Sequence, residues 1–120
     1  MNLYRDTILD HYKNPRNYGQ LVKPSVTSPA QNPFCGDSLE IDLEIKENII
    51  TDFKFRGNMC AVSMSAASML SEDLIGLPVD EAKKINKEKI LNYFGTELTT
   101  SRVKCASLVL DALHSALSKL

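Results

Sequence analysis

Three cysteines carry most of the chemistry available to this sequence: Cys35, Cys60 and Cys105, spaced 25 and 45 residues apart. A thiolate is both a nucleophile and a soft metal ligand. The plainer alternative is three inert thiols, because free cysteine often packs as a small apolar side chain. Local sequence argues against it. Cys35 lies in Asn32-Pro33-Phe34-Cys35-Gly36-Asp37, Cys60 follows Gly57-Asn58-Met59, and Cys105 stands next to Lys104 and close to Arg102. Glycines beside Cys35 and before Cys60 permit turn geometries that aim a side chain outward. Asp37 adds a carboxylate two residues after Cys35. An Asp after Gly in a turn can simply bond nearby N–H groups. Read chemically, three thiolates and one carboxylate form a set that tetrahedral Zn²⁺ accepts. The same set could hold a [2Fe–2S] cluster through three thiolates and one weaker ligand. These spacings are unlike the paired C-x-x-C knuckles of a zinc finger, so only a folded domain could assemble the site.

The elements that must do so are readable from periodicity. Asn2 to Lys13 reads as a short helix, stopped by Asn14-Pro15 because a residue before proline resists helical geometry. Four of the five prolines fall between Asn14 and Pro33, marking a turn-rich stretch. Leu39, Ile41, Leu43 and Ile45 alternate with Ser38, Glu40, Asp42, Glu44 and Lys46, the pattern of a strand with one face in water. Glu47-Asn48 makes a tight turn into a second alternating run, Ile49 to Arg56. A third strand is expected within Val22–Ser28. Helical spacing takes over at Cys60–Ile75, stopped by Gly76 and Pro78. Two short helices follow within Val79–Phe94, then a long one over Ser101–Leu120. This placement puts Cys60 and Cys105 at helix N-termini, where unpaired N–H groups favour thiolate. The resulting class is α+β, a small three-stranded antiparallel sheet covered on one face by helices.

Composition bounds the rest. The 120 residues, 43% hydrophobic and 24% charged, suit one domain spanning 1–120 with its own core. A net charge of −1 gives no bulk attraction for nucleic acid. No apolar run approaches the ~18 residues of a membrane span, and the charged N-terminus lacks a secretory pattern. An odd cysteine count without an export signal argues against a disulfide framework and for a cytoplasmic protein. His11 and His114 read as surface or packing residues. Met59, Met64 and Met69 read as core filler, and Ser63, Ser65, Ser68 and Ser71 as close-packing positions.

With these segments together, the chain resembles the U-type iron–sulfur cluster assembly family, the group containing IscU, SufU and the N-terminal domain of NifU. The likeness rests on Tyr4, Ile8-Leu9-Asp10-His11-Tyr12, Asn14-Pro15-Arg16-Asn17 and Gly19. It continues through Asn32-Pro33-Phe34-Cys35-Gly36-Asp37, Phe55-Arg56-Gly57-Asn58-Met59-Cys60-Ala61-Val62-Ser63 with Ser65 and Ser68, and Arg102-Val103-Lys104-Cys105-Ala106. It implies a surface site made by Cys35, Asp37, Cys60 and Cys105, binding a transient [2Fe–2S] cluster or Zn²⁺. It also implies a cysteine desulfurase as partner, Cys35 as persulfide acceptor, and apoproteins as recipients. Lys104 and Arg102 would give electrostatic support, Lys104 stabilising thiolate or persulfide rather than ligating. Arg102 is either a surface cation or a partner of Asp37.

Departures from the family pattern pull in two directions. The scaffold type has His before its last cysteine and a Leu-Pro-Pro-Val-Lys chaperone-recognition stretch upstream. Here the residue is Lys104, as in zinc-dependent sulfurtransferases, and the stretch reads Thr99-Thr100-Ser101-Arg102-Val103-Lys104, which counts against chaperone docking. The sulfurtransferase type carries an insertion between its second and third cysteines, for which 45 residues leave no room. Met59 replaces a glycine usual before the second cysteine. Scaffold, zinc-dependent sulfurtransferase and purely structural zinc module are the three functions this sequence admits.

Overall fold

The computed structural model describes residues 3–33, 36–95 and 98–120. The element order is α1 (Leu3–Lys13), β1 (Val26–Asn32), β2 (Asp37–Lys46), β3 (Ile49–Asn58), α2 (Ala61–Leu74), α3 (Val79–Ala82), α4 (Lys87–Asn92), α5 (Thr100–Ala106) and α6 (Leu108–Ser118). The strands form one antiparallel sheet in the order β1-β2-β3. Glu47 and Asn48 both take positive φ, 53° and 63°, which is how a two-residue hairpin link matches the twist of its strands. Of the set predicted for the apolar face, Leu39, Ile41, Leu43, Phe53 and Phe55 are buried and Ile45 is half-buried, but Ile49 and Thr51 are exposed and Ile50 is buried instead, because the register shifts between Glu44 and Ile45. Against it pack Leu70 and Leu74 of α2 and Leu113 and Leu117 of α6, all buried. No helix among the described residues is long and apolar enough to cross a membrane.

One outer edge of the sheet is covered by main chain and the other is blunted. Along β3, Gly19 N–H donates to Phe55 O at 2.8 Å and Phe55 N–H to Asn17 O at 3.1 Å. Further along, Ile50 N–H donates to Leu77 O at 2.9 Å and Gly76 N–H to Ile50 O at 2.7 Å. The other edge strand, β1, carries Pro29 at its centre, and Lys119 Nζ donates to Thr27 O at 3.1 Å.

Three expectations need correction. The first strand covers Val26–Asn32 rather than Val22–Ser28, because an edge strand tolerates Pro29. The last helix divides at Ser107, whose φ and ψ are −86° and 1°. Its hydroxyl donates to Lys104 O at 3.4 Å, one turn back along α5. Finally, the outer face of the sheet is not wholly in water, since Asp42 is 2% exposed. Arg56 Nη1 and Leu21 N–H each donate to its Oδ2 at 2.9 Å, and Thr27 Oγ1 donates to Oδ1 at 2.7 Å. Burial pushes the Asp42 carboxyl up, but these hydrogen bonds outweigh it and hold the group below its ordinary value.

The first helix is fixed to α2 through hydroxyl groups. Ser65 Oγ donates to Ile8 O at 3.0 Å, and His11 Nδ1 lies 2.7 Å from Ser68 Oγ, which also accepts from Arg16 N–H at 2.9 Å. Ser71 Oγ accepts from Asn17 Nδ2 at 2.9 Å. The serines therefore bind as well as pack. His11 is a packing residue, 7% exposed, with Nε2 3.5 Å from Glu72. Burial first, and then the Arg16 charge, lower its pKa against the opposing pull of Glu72 and Asp10. The folded form therefore binds fewer protons than the unfolded chain, whose histidines titrate near ~6.5. Stability from this residue is intact above that pH and falls as pH drops toward the folded pKa. His11→Gln is expected to flatten the fall in melting temperature between pH 7 and 5, measured by circular dichroism in parallel with the wild type.

Candidate metal centre

Three of the four sequence-predicted donors come together from three elements. Asp37 opens β2, Cys60 immediately precedes α2, and Cys105 lies within α5. One ligand atom from each, the carboxylate oxygen and the two Sγ atoms, lies within 4.8 Å of the others. Asp37 and Cys105 are 8% and 6% exposed and Cys60 is partly exposed, so the cluster is recessed but open on the Cys60 side. Cys35, predicted as the fourth donor, lies outside the described residues.

Local geometry explains the convergence. Asp37 is paired with Asn32 where β1 and β2 meet, and Gly36, with φ 77°, donates its N–H to Asn32 O at 2.9 Å. On the other side of β2, Leu39 faces Gly57 in β3. Cys60 then follows three residues beyond Gly57, and its N–H reaches back to Asp37 Oδ2 at 3.3 Å. Cys60 is also the N-cap of α2: its Sγ accepts from Ser63 N–H at 3.5 Å, filling the place usually taken by a serine or aspartate oxygen. Ser63 Oγ donates to Asp37 Oδ2 at 2.9 Å and lies 3.5 Å from Cys60 Sγ. Asn32 Nδ2 donates to Cys105 Sγ at 3.9 Å.

Cys105 corrects one expectation. It is the sixth residue of α5, beyond the first turn where unpaired N–H groups lie, so only Cys60 stands at a helix N-terminus. Even counted from Ser101, the start expected from the sequence, Cys105 is the fifth residue and past that turn. Lys104 falls in the last turn of α5, the favourable end for a cation, and is exposed. It lines a cleft of about 260 Å³ with Asn32, Lys87, Ser107 and Asp111, beside the Asn32 amide that faces Cys105. Arg102 is exposed and forms no ion pair with a described residue, Asp37 included, which makes it a surface cation. His114 is away from the cluster, its Nε2 2.8 Å from Ile85 O.

Sequence reasoning missed Ser63 and Asn32, which touch the donors without being donors. The helical spacing of small residues that marked Ser63 as a packing position carries no hint of Asp37, 26 residues earlier.

The donor set suits a thiophilic ion. Zinc–sulfur bonds of ~2.3 Å place tetrahedral donors roughly 4 Å apart, so donors within 4.8 Å need little movement to share one ion. A third thiolate from elsewhere in the chain would complete a four-coordinate set.

The family model described as "NifU-like N terminal domain" matches residues 3–120. The chain is 34% identical over 115 residues to "Iron-sulfur cluster assembly scaffold protein IscU 1" of Archaeoglobus fulgidus, covering 96% of this chain and 74% of that protein. It is 33% identical to "Zinc-dependent sulfurtransferase SufU" of Bacillus subtilis, covering 98% of this chain and 90% of that one. That alignment runs over 134 positions against the 120 residues present here, so SufU contains residues this chain lacks. Among solved structures, a crystal structure of a hypothetical protein superimposes with a TM-score of 0.82 at 29% identity, covering 97% of both chains.

Proposed function

Because the chain belongs to the NifU-like N-terminal domain family, we propose that it works in iron–sulfur cluster assembly as a scaffold. In this reading it takes sulfur from a cysteine desulfurase and builds a transient [2Fe–2S] cluster for transfer to apoproteins. Residues 1–120 act as one domain, in the cytoplasm. The observation that carries the reading is the meeting of Asp37, Cys60 and Cys105 donors within 4.8 Å, from positions far apart in sequence.

Cys35, two residues before Asp37, is the acceptor. Its thiolate attacks the terminal sulfur of the donor's persulfide, forming a new S–S bond to Cys35. The donor's own S–S bond breaks and its cysteine leaves as thiolate, while the transferred sulfur keeps its proton. Asp37, Cys60 and Cys105 would hold the ion or cluster with Cys35. Zn²⁺, where bound, supplies positive charge that keeps thiolates deprotonated. Asp37 is the one oxygen donor among sulfurs and therefore the most readily exchanged with a soft ion. Exposed Lys104 adds positive charge at the rim, favouring an anionic sulfur species.

Lys104 also favours a second reading, a zinc-dependent sulfur carrier that relays persulfide without holding a cluster. The residues that SufU has and this chain lacks weigh against it. Anaerobic incubation with a desulfurase, cysteine and ferrous iron separates the two. Visible absorbance that rises as zinc content stays low supports the scaffold. Persulfide at full zinc occupancy without absorbance supports the carrier, and neither signal would reject both. In the same assay Cys35→Ser is expected to lose sulfur acceptance entirely, as mass spectrometry of the isolated chain would show.

A further inference from the structure

Ser63 is completely buried, and its hydroxyl has one hydrogen with three acceptors in reach. These are Asp37 Oδ2 at 2.9 Å, the Cys60 carbonyl oxygen at 3.2 Å and Cys60 Sγ at 3.5 Å. All three belong to residues of the donor set. We propose that Ser63 is a positioning residue that sets how readily Asp37 exchanges on and off the bound ion. Its O–H proton goes to Asp37 when the carboxylate is off the ion, and turns to Cys60 when the carboxylate is on it. This rests on the reading that Asp37, Cys60 and Cys105 share an ion.

The physical need is specific. A carboxylate that leaves a cation inside a recessed site loses its countercharge, and a buried anion without a donor is costly. Asp37 is 8% exposed, so bulk water offers it little. A hydroxyl responds by rotating about one bond, with no movement of the backbone. Cys60 then keeps the displaced proton engaged through its carbonyl oxygen or sulfur, so the hydroxyl is satisfied in both arrangements. Orientation of Asp37 does not depend on Ser63 alone, since the Cys60 N–H also reaches Oδ2 at 3.3 Å. The sign of the effect follows. A residue that merely aimed Asp37 at the ion would loosen the site when removed. One that stabilises the departed carboxylate would slow release when removed.

The test is zinc transfer from the full chain to excess chromophoric chelator. Ser63→Ala is expected to release zinc about fivefold more slowly than wild type, the factor carried by one net hydrogen bond of ~1 kcal/mol. In an Asp37→Ala background, Ser63→Ala should change the rate no further. Unchanged or faster release from Ser63→Ala overturns the proposal. So does equal slowing with Asp37 absent, which would mark a structural effect. Failure of the wild type to take up zinc more tightly than Cys60→Ser overturns the ion-site reading, and this inference with it.

Discussion

Gly57→Ala is expected to destabilise the fold by about 3 kcal/mol, the upper range for forcing extra atoms into a packed site. A Cβ on Gly57 would stand 2.1 Å from Ser38 O and 2.6 Å from Leu39 Cα, and both are backbone atoms that no side-chain rotation can move aside. The φ of 156° adds strain for any L side chain. β2 and β3 must therefore part at the Leu39–Gly57 pair. At this chain length the melting temperature should fall by roughly 10 °C, measured by thermal denaturation. The damage is also local to the donors, because Asp37 and Cys60 lie two and three residues beyond this pair at the same end of the hairpin. Zinc affinity, measured by competition, should fall along with stability. A melting point within two or three degrees of wild type would show that the close strand approach is not required.

Cys60→Ser should have the opposite profile: stability kept and ion binding lost. Serine is a better N-cap than cysteine, and Ser63 N–H already points at the side chain of residue 60. The melting temperature of the metal-free variant should equal or slightly exceed that of wild type. A neutral hydroxyl is a poor substitute for a thiolate on a soft ion, however. A structural zinc site worth ~10–16 kcal/mol over four ligands loses several kcal/mol with one of them, so affinity should drop by at least about 100-fold. Competition with a chelator of known strength reads the first quantity and circular dichroism the second. Retained affinity would remove Cys60 from the donor set.

The hairpin was the most legible part of the chain: alternation marks the buried face at Leu39, Ile41, Leu43, Phe53 and Phe55, and fails only near the turn, where a register shift buries Ile50 in place of Ile49 and Thr51. The link at Glu47-Asn48 was equally plain. What could not be read shares one cause: dependence on a partner distant in sequence. The apolar spacing of the last helix runs straight through Ser107, and nothing in it marks the change of backbone angle there. Asp42 fits the wet side of an alternating strand, and only Arg56, Thr27 and Leu21 make its burial tolerable. β1 was displaced because Val-Thr-Ser-Pro-Ala-Gln-Asn has little alternation and a central proline. For the candidate site, residue type and local context singled out Asp37, Cys60 and Cys105, whose ligand atoms lie together in the fold. The hydroxyl and amide that touch them became visible only once the chain had closed.

The covered and blunted flanks of the sheet bear on how this molecule can be recognised. A visiting peptide that sought to extend the ladder would find one border filled by the protein's own main chain. Along the other it would meet a ring nitrogen without hydrogen and a carbonyl held by an ammonium. β-Augmentation, in which an extended segment adds a strand to a sheet edge, is therefore disfavoured on both flanks. A partner that docks by side chains instead can meet the end of the sheet where Asp37, Cys60 and Cys105 gather.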